Sequence, residues 1–347
     1  MIERRLRDRY SRQTMFPGIG DEGQAKLIRG TVVIIGCGAL GCNVATLLTR
    51  AGVGKIRIVD RDFIEYHNLQ RQVLFDEEDI RSGLPKAIAA ERHLRNVNST
   101  VEIEGIVADV NYTNIESFCR GADVILDGLD NLETRLLIND VSLKHRIPWV
   151  YGAAIASSGM TMTVIPGEPP CFRCLSAAVP EPGTMLTCET AGVVATAPAL
   201  IGSLQTTEAM KILVGSDKIN RKLVIVDVWT GAFDQLEMKP RTDCPACQGI
   251  YEFLESKYAI KTTSLCGQSR AVQVVNTNIS EIALDELASR LRRLDHITQV
   301  TQNEFMLSFV ADEHEIFVFR DGRAIIKDTV DESSAKQLYS KYIININ

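Results

Sequence analysis

The first half of the chain alternates short, mostly apolar runs with longer segments in which apolar residues recur every three or four positions. Runs such as "TVVIIG" (31–36) and "KIRIVD" (55–60) are typical of strands buried inside a sheet. The segments 84–96 and 131–146 have a helical period. Strands that alternate with helices predict a mostly parallel sheet with helices on both faces. The same pattern predicts further strands at 101–107, 122–128, 148–154 and 222–229, and further helices after residue 41 and at 200–215.

A different pattern begins by about residue 262. The runs "AVQVVN" (271–276) and "HEIFVFRDGRAIIKD" (314–328) favour strands, whereas "EIALDELASRLRRL" (281–294) favours a helix. Pattern and length together predict two domains. We place a main α/β domain at residues 1–255 and a small α+β domain at residues 256–347.

Composition narrows the class of protein. The 347 residues are 45% hydrophobic and 24% charged, which is ordinary for a soluble globular protein. The net charge of −6 argues against nucleic acid as a partner, because no basic face is supplied in bulk. The longest apolar run, residues 191–202, is too short to span a bilayer. No apolar run follows the arginine-rich start, so we expect no secretory signal and a cytoplasmic protein without a membrane partner.

A glycine-rich turn follows the first predicted strand. In "GCGALG", Gly36, Gly38 and Gly41 permit a tight turn and a close approach of backbone to phosphate, with a helix N-terminus facing the anion. Asp60 ends the second strand, 19 residues past the last glycine, where an acidic residue can hold a ribose. The same loop would serve NAD, FAD, S-adenosylmethionine or ATP. At this point the nucleotide stays open.

The residues that follow favour a triphosphate over a redox cofactor. The segment "NLQRQ" supplies Asn68 and Arg71, and Lys86 and Arg12 add two more cations. Such cations suit a nucleotide under attack, because negative charge builds on the leaving pyrophosphate. Asp130, after the strand at 122–128, comes at the carboxyl end of the sheet, where a carboxylate is a natural Mg²⁺ ligand.

Two Cys-x-x-Cys pairs stand out among the nine cysteines. Cys171 with Cys174 and Cys244 with Cys247 are separated by 69 residues, so the fold must bring the pairs together. Four thiolates suit a tetrahedral Zn²⁺ and leave no open position for catalysis. We therefore predict a structural zinc site in the C-terminal part of the main domain.

The series of motifs resembles one family. "RYSRQ", "GCGALG", "AGVGKIRIVD", "NLQRQ", "LPKA", "LDGLDN", "CFRC", "IGSLQTTEAMKIL" and "CPAC" occur in the order found in the ThiF/MoeB/HesA adenylyltransferases, the bacterial relatives of ubiquitin-activating enzymes. The resemblance covers residues 8–250, is closest to the ThiF type, and implies a Rossmann-like fold. The C-terminal part looks like the appended domain of some ThiF-type proteins.

The resemblance implies an enzyme that uses ATP to adenylate the C-terminal glycine carboxylate of a small ubiquitin-fold sulfur carrier (ThiS/MoaD-like, ending in Gly-Gly), with release of pyrophosphate. The pathway would be thiamin-thiazole or molybdopterin synthesis. A separate sulfur donor is expected, because the appended domain lacks a rhodanese active-site loop. The carboxylate nucleophile is already ionised, so positioning and charge stabilisation would carry the rate.

The resemblance also assigns residues. The loop glycines and Asp60 would hold adenosine. Asn68, Arg71 and Lys86 would contact phosphates, and Asp130 would bind Mg²⁺. Arg12 would reach the phosphates of the neighbouring subunit of a homodimer.

Cys188 allows two interpretations. It is either a small buried hydrophobe or, as in ThiF-type enzymes, a thiol that bonds to the activated carrier. It lies within the Pro/Gly/Thr-rich passage 177–192, just before a helix, and the composition of that passage suggests a mobile loop.

Two other functions remain as alternatives to carrier activation. One is adenylation of a peptide carboxylate in natural-product maturation, and the other is a non-catalytic nucleotide-binding scaffold. An NAD-dependent oxidoreductase is disfavoured by the phosphate-binding residues.

Overall fold

The computed structural model describes residues 4–176, 188–255, 262–265, 271–274, 282–294, 296–329 and 331–344. The chain divides into two units, Met1–Tyr258 and Ala259–Asn347. No helix in the described part of the chain is long and apolar enough to cross a membrane.

An eight-stranded sheet forms the centre of the first unit, in the order β3-β2-β1-β4-β5-β6-β7-β8. The strands from β3 to β5 in this order pair in parallel, and the remaining three pairings are antiparallel. The strands are β1 Thr31–Ile35, β2 Lys55–Asp60, β3 Glu102–Val107, β4 Val124–Asp127, β5 Trp149–Ile155, β6 Ser158–Val164, β7 Leu223–Asp227 and β8 Ala232–Leu236.

Helices cover both faces of this sheet, as the sequence predicts. They are α1 Arg4–Thr14, α2 Gly20–Leu27, α3 Ala39–Ala51, α4 Glu77–Arg81, α5 Lys86–Val97, α6 Ile115–Cys119, α7 Leu132–His145, α8 Phe172–Leu175, α9 Cys188–Ala191 and α10 Thr196–Val214. Side chains of β1 alternate between two apolar cores. Val32 and Ile34 pack with α3, α5 and α10, whereas Val33 and Ile35 pack with α6 and α7.

The mostly parallel sheet with helices on both faces is confirmed, and several details differ from the sequence prediction. The strands β6 and β8 were not predicted, and all five residues of β8 are exposed, so no apolar alternation marks it. Helix α10 begins at Thr196 rather than near residue 200. Pro198 lies in its first turn, where the missing N–H of proline costs no intrahelical bond.

The second unit is a small α+β domain built on a six-stranded sheet in the order β11-β12-β13-β14-β10-β9. All its pairings are antiparallel. Its elements are β9 Thr262–Leu265, β10 Ala271–Val274, α11 Leu284–Leu291, β11 Thr298–Gln302, β12 Met306–Ala311, β13 His314–Phe319, β14 Ala324–Lys327, α12 Glu332–Tyr339 and a π-helical turn Ser340–Ile344. One apolar core joins both helices to the central strands.

Candidate active site and cysteine cluster

The glycine-rich loop after β1 lies against the loop after β4. Gly36 has a φ of +92°, and a Cβ there would come within 2.7 Å of the carbonyl oxygen of Gly128. A Cβ on Gly41 would lie 2.1 Å from the carbonyl oxygen of Gly36. Gly38 precedes the first residue of α3. Only glycine fits at positions 36 and 41, and the N-terminus of α3 is left facing the loop, in an arrangement that suits an anion.

Asp60 holds this loop in place from the end of β2. Its Oδ2 accepts a hydrogen bond from the Cys37 amide at 2.6 Å, and its Oδ1 accepts one from the Asp62 amide at 2.7 Å. Burial raises the pKa of the Asp60 carboxyl, and the two amide donors act against that rise. The contact with a ribose stays a prediction, but the carboxylate lies beside the predicted phosphate loop.

Lys86 is the first residue of α5 and is only 6% exposed. Its Nζ lies 3.2 Å from Oδ2 of Asp62, and its backbone amide donates to the Asp62 carbonyl. Burial alone would lower the pKa of the ammonium, but nearby carboxylates, Asp62 first, raise it by more. The side chain of Lys86 therefore stays protonated and positively charged at neutral pH. The sequence analysis did not identify Asp62 as a site residue, although it is the second acidic residue of "VDRD".

Asp130 lies in the loop between β4 and α7. Its side chain is exposed and makes no hydrogen bond or ion pair with any residue that the structure describes. Its charge contributes to the raised pKa values of Lys86 and Arg61. The fold thus brings Asp60, Lys86 and Asp130 to the carboxyl edge of the parallel strands, the edge at which the sequence placed Asp60 and Asp130.

Asn68 and Arg71 are held by local contacts. Asn68 ends a 3₁₀ turn, and its Oδ1 accepts a hydrogen bond from the Glu65 amide at 2.9 Å. Arg71 is half-buried, and its Nη1 donates to the carbonyl of His67 at 2.7 Å. No described contact joins either residue to Lys86 or Asp130, so their role at a phosphate stays a prediction.

Arg12 and Cys188 are not assembled into this site by the described contacts. Arg12 is exposed on α1, and its Nη1 lies 3.6 Å from the sulfur of Met15. Cys188 is the first residue of α9, and its side chain, like residues 177–187 before it, lies outside the described structure. The predicted roles of both residues remain predictions.

Four cysteine sulfurs meet beside α7. The Sγ of Cys171 lies 3.7 Å from that of Cys244 and 3.4 Å from that of Cys247, and Cys174 lies 3.6 Å from Cys247. A Zn–S bond of about 2.3 Å in a tetrahedron places sulfurs about 3.8 Å apart. The spacing and the donor set therefore fit zinc.

Most of the cluster is shielded from solvent. Cys171, Cys174 and Cys244 are buried, and only Cys247 is exposed. The Asn139 amide of α7 approaches the Cys171 sulfur to 3.7 Å, and its Oδ1 accepts from the Phe172 amide at 2.9 Å. An apolar core packs around the buried three. Such a site suits structure rather than catalysis.

A profile of the ThiF family matches residues 10–246. A Bacillus subtilis (strain 168) protein named sulfur carrier protein ThiS adenylyltransferase is 41% identical over 338 residues, covering 96% of this chain and 99% of the relative. A Haloferax volcanii protein named SAMP-activating enzyme E1 is 39% identical over 241 residues, covering 69% and 88%.

Among solved structures, E. coli MccB with MccA-N7isoASN matches with a TM-score of 0.61 at 23% identity, covering 69% of this chain and 74% of that chain. This likeness supports the fold alone. The match to the Bacillus relative extends into the second unit, in agreement with the predicted resemblance of that part. On the family profile and the near end-to-end match, the chain belongs to the ThiF family.

Proposed function

We propose that this protein is an adenylyltransferase that uses ATP to activate the C-terminal glycine carboxylate of a small ubiquitin-fold sulfur carrier. The observation that carries the proposal is the glycine loop with Asp60, Lys86 and the exposed carboxylate of Asp130 at one edge of the sheet. The names of the Bacillus and Haloferax relatives, which refer to a sulfur carrier and to an E1 enzyme, support the choice of substrate.

In this reaction a carboxylate oxygen of the carrier attacks the α-phosphorus of ATP. The bond to the bridging oxygen breaks, and its electron pair leaves with pyrophosphate. No proton is transferred, because the nucleophile is already ionised. The loop amides and Lys86 stabilise the charge that develops on the phosphates, and Lys86 exchanges its contact with Asp62 for one with phosphate.

Two metals are part of the proposal. Asp130 would hold Mg²⁺, which supplies positive charge to the phosphates; an exposed carboxylate without a protein partner fits an ion that keeps several water ligands. Cys171, Cys174, Cys244 and Cys247 would hold a structural Zn²⁺.

Finer parts of the proposal concern assembly and sulfur transfer. Arg12 would act across a homodimer. A separate donor would supply sulfur, and Cys188 is the thiol that would form a covalent link to the carrier if one is used. The C-terminal part, residues 256–347 in the predicted division, would be an appended domain.

ATP–pyrophosphate exchange tests the proposal. The full-length protein, with Mg²⁺ and a sulfur carrier ending in Gly-Gly, should exchange labelled pyrophosphate into ATP, and a carrier without its last glycine should not support exchange. Asp130→Asn should lower the rate at least about 100-fold, because metal charge stabilisation is lost. Glu133→Gln, an exposed acid three residues on, is the matched control and should retain the rate. Wild-type protein that shows no carrier-dependent exchange would refute the proposed function.

A further inference from the structure

A buried ion pair lies directly behind Asp130. Asp127 ends β4 and is fully buried, and its Oδ2 accepts a hydrogen bond from Nε of Arg135 at 2.8 Å. Arg135 lies on the first turns of α7 and is 9% exposed. Burying such a pair is costly, and apolar residues of similar volume are often as stable. Stability alone therefore does not account for it.

The pair fixes the backbone that leads to Asp130. The Leu129 amide donates to Oδ1 of Asp127 at 2.9 Å, and the Leu129 carbonyl accepts from Nη2 of Arg135. Both polar backbone groups of the residue before Asp130 are thereby held. The loop can neither rotate at this peptide nor shift along the sheet without breaking a buried hydrogen bond.

A neighbouring strand and helix complete the arrangement. Arg135 also donates to the Gly152 carbonyl at 2.9 Å, and the Gly152 amide donates to Asp127 at 3.2 Å. Gln205 of α10 donates to the carbonyls of Asp127 at 2.9 Å and Val150 at 3.1 Å. The loop is therefore attached to β5 and to α10, while the Asp130 carboxylate itself stays exposed and without a described partner.

We propose that Arg135 and Asp127 are a positioning pair that holds the Asp130 carboxylate in the orientation needed to bind the divalent cation of the nucleotide. The inference rests on the proposed function and adds to it two residues that themselves touch neither metal nor substrate. Its physical basis is that groups behind a metal ligand orient it, and that their loss typically weakens metal binding about 10- to 100-fold.

Mn²⁺ is a paramagnetic probe of this site. Its affinity for the full-length protein is measured by electron paramagnetic resonance, with an ATP analogue whose α- and β-phosphates are joined by a methylene group. Arg135→Lys keeps the charge but loses the fork that grips Asp127 and Leu129, and should weaken Mn²⁺ binding about 10-fold or more. Arg57→Lys is the matched control: Arg57 also joins a carboxylate, Glu104, to a backbone carbonyl, that of Phe118, and the variant should bind Mn²⁺ as wild type does.

A double variant separates positioning from general damage. If Arg135 acts through Asp130, Arg135→Lys with Asp130→Asn should bind Mn²⁺ no more weakly than Asp130→Asn alone. Wild-type affinity in folded Arg135→Lys, an additive loss in the double variant, or no effect of Asp130→Asn would each overturn the inference. If Arg135→Lys fails to fold, Asp127→Asn, which keeps the shape, replaces it with the same expected loss and non-additivity. Because the readout needs no carrier, it is independent of whether carrier-dependent exchange occurs.

Discussion

Helix α7 joins two regions that are built on opposite principles. At its N-terminal end, Asp130 precedes the helix with an exposed and unpartnered carboxylate, within the part of the chain that the structure describes. Toward its C-terminal end, Asn139 contacts a cluster in which each sulfur has other sulfurs as neighbours. The first region offers one exposed carboxylate, whereas the second offers four sulfur donors at the spacing of a tetrahedral set. A set of donors that fills every position of a metal suits a structural role, whereas an accessible carboxylate can still take a ligand from solution.

The removal of one sulfur from the cluster should have the largest effect on the stability of the protein. Cys244→Ala should lower the free energy of unfolding by at least about 4 kcal/mol, because the proposed zinc ion would contribute directly to folding. Denaturant unfolding measures the free energy of unfolding of each variant, and metal analysis measures its zinc content. Cys119→Ala is the control, since Cys119 is a buried thiol of the same apolar core and should cost about 1 kcal/mol with zinc retained. If the two variants lost the same free energy of unfolding, the cluster cysteines would contribute no more to stability than a buried cysteine of the apolar core.

The sequence predicts some parts of this molecule better than others. The buried strands and amphipathic helices were predictable, because each apolar run reports its own environment. The edge strand β8 was not, because its five exposed residues bear no such pattern. Motif spacing was enough to predict that the two cysteine pairs meet. The positions of Asp60 and Asp130 after predicted strands placed both at the carboxyl edge of the sheet, whereas Lys86 was predicted only as a cation near the phosphates.

The supporting contacts of the site were not predictable. Arg135 reads as an ordinary helix residue, and only the fold places it against Asp127, Leu129 and Gly152. Asp62 likewise gains its meaning from the arrival of Lys86, 24 residues later, at its side chain. These contacts join residues of different strands and helices. No periodic pattern or motif in the local sequence indicates them.

A smaller effect is expected at the glycine-rich loop after β1, because the conformation of its backbone restricts which residues fit there. Gly36→Ala should lower the free energy of unfolding by about 1–3 kcal/mol, because alanine is strained at a φ of +92° and its Cβ would meet Gly128. Gly38→Ala should cost less than about 1 kcal/mol, because the φ of Gly38 is −77° and its nearest contact would be 3.5 Å. Thermal unfolding compares the two. Similar values for both would mean that the loop yields, and that the close approach to Gly128 is not a constraint.

A pH-dependent effect is expected at Asp140, a carboxylate that is buried on α7 near the cysteine cluster. Oδ2 of Asp140 accepts hydrogen bonds from the amides of Phe253 at 2.8 Å and Leu254 at 3.3 Å. Burial raises the pKa of this carboxyl to about 6; the two amides act against the rise, Glu252 adds to it and Arg173 opposes it. In the unfolded chain the pKa is about 3.9.

Because the folded protein holds the proton more tightly, this group's contribution to stability is fully present below about pH 4 and is lost as the pH rises through about 6. The loss is on the order of 2–3 kcal/mol for a shift of about two pKa units. Asp140→Asn keeps an oxygen to accept from both amides but cannot ionise. Unfolding free energies of the two proteins, measured from pH 4 to pH 7.5, should therefore diverge in favour of the variant as the pH rises. Protonation of the cysteine cluster affects both proteins alike and cancels in the difference. Parallel curves would show that burial does not raise the pKa of Asp140 and that its ionised carboxylate is tolerated in the folded protein.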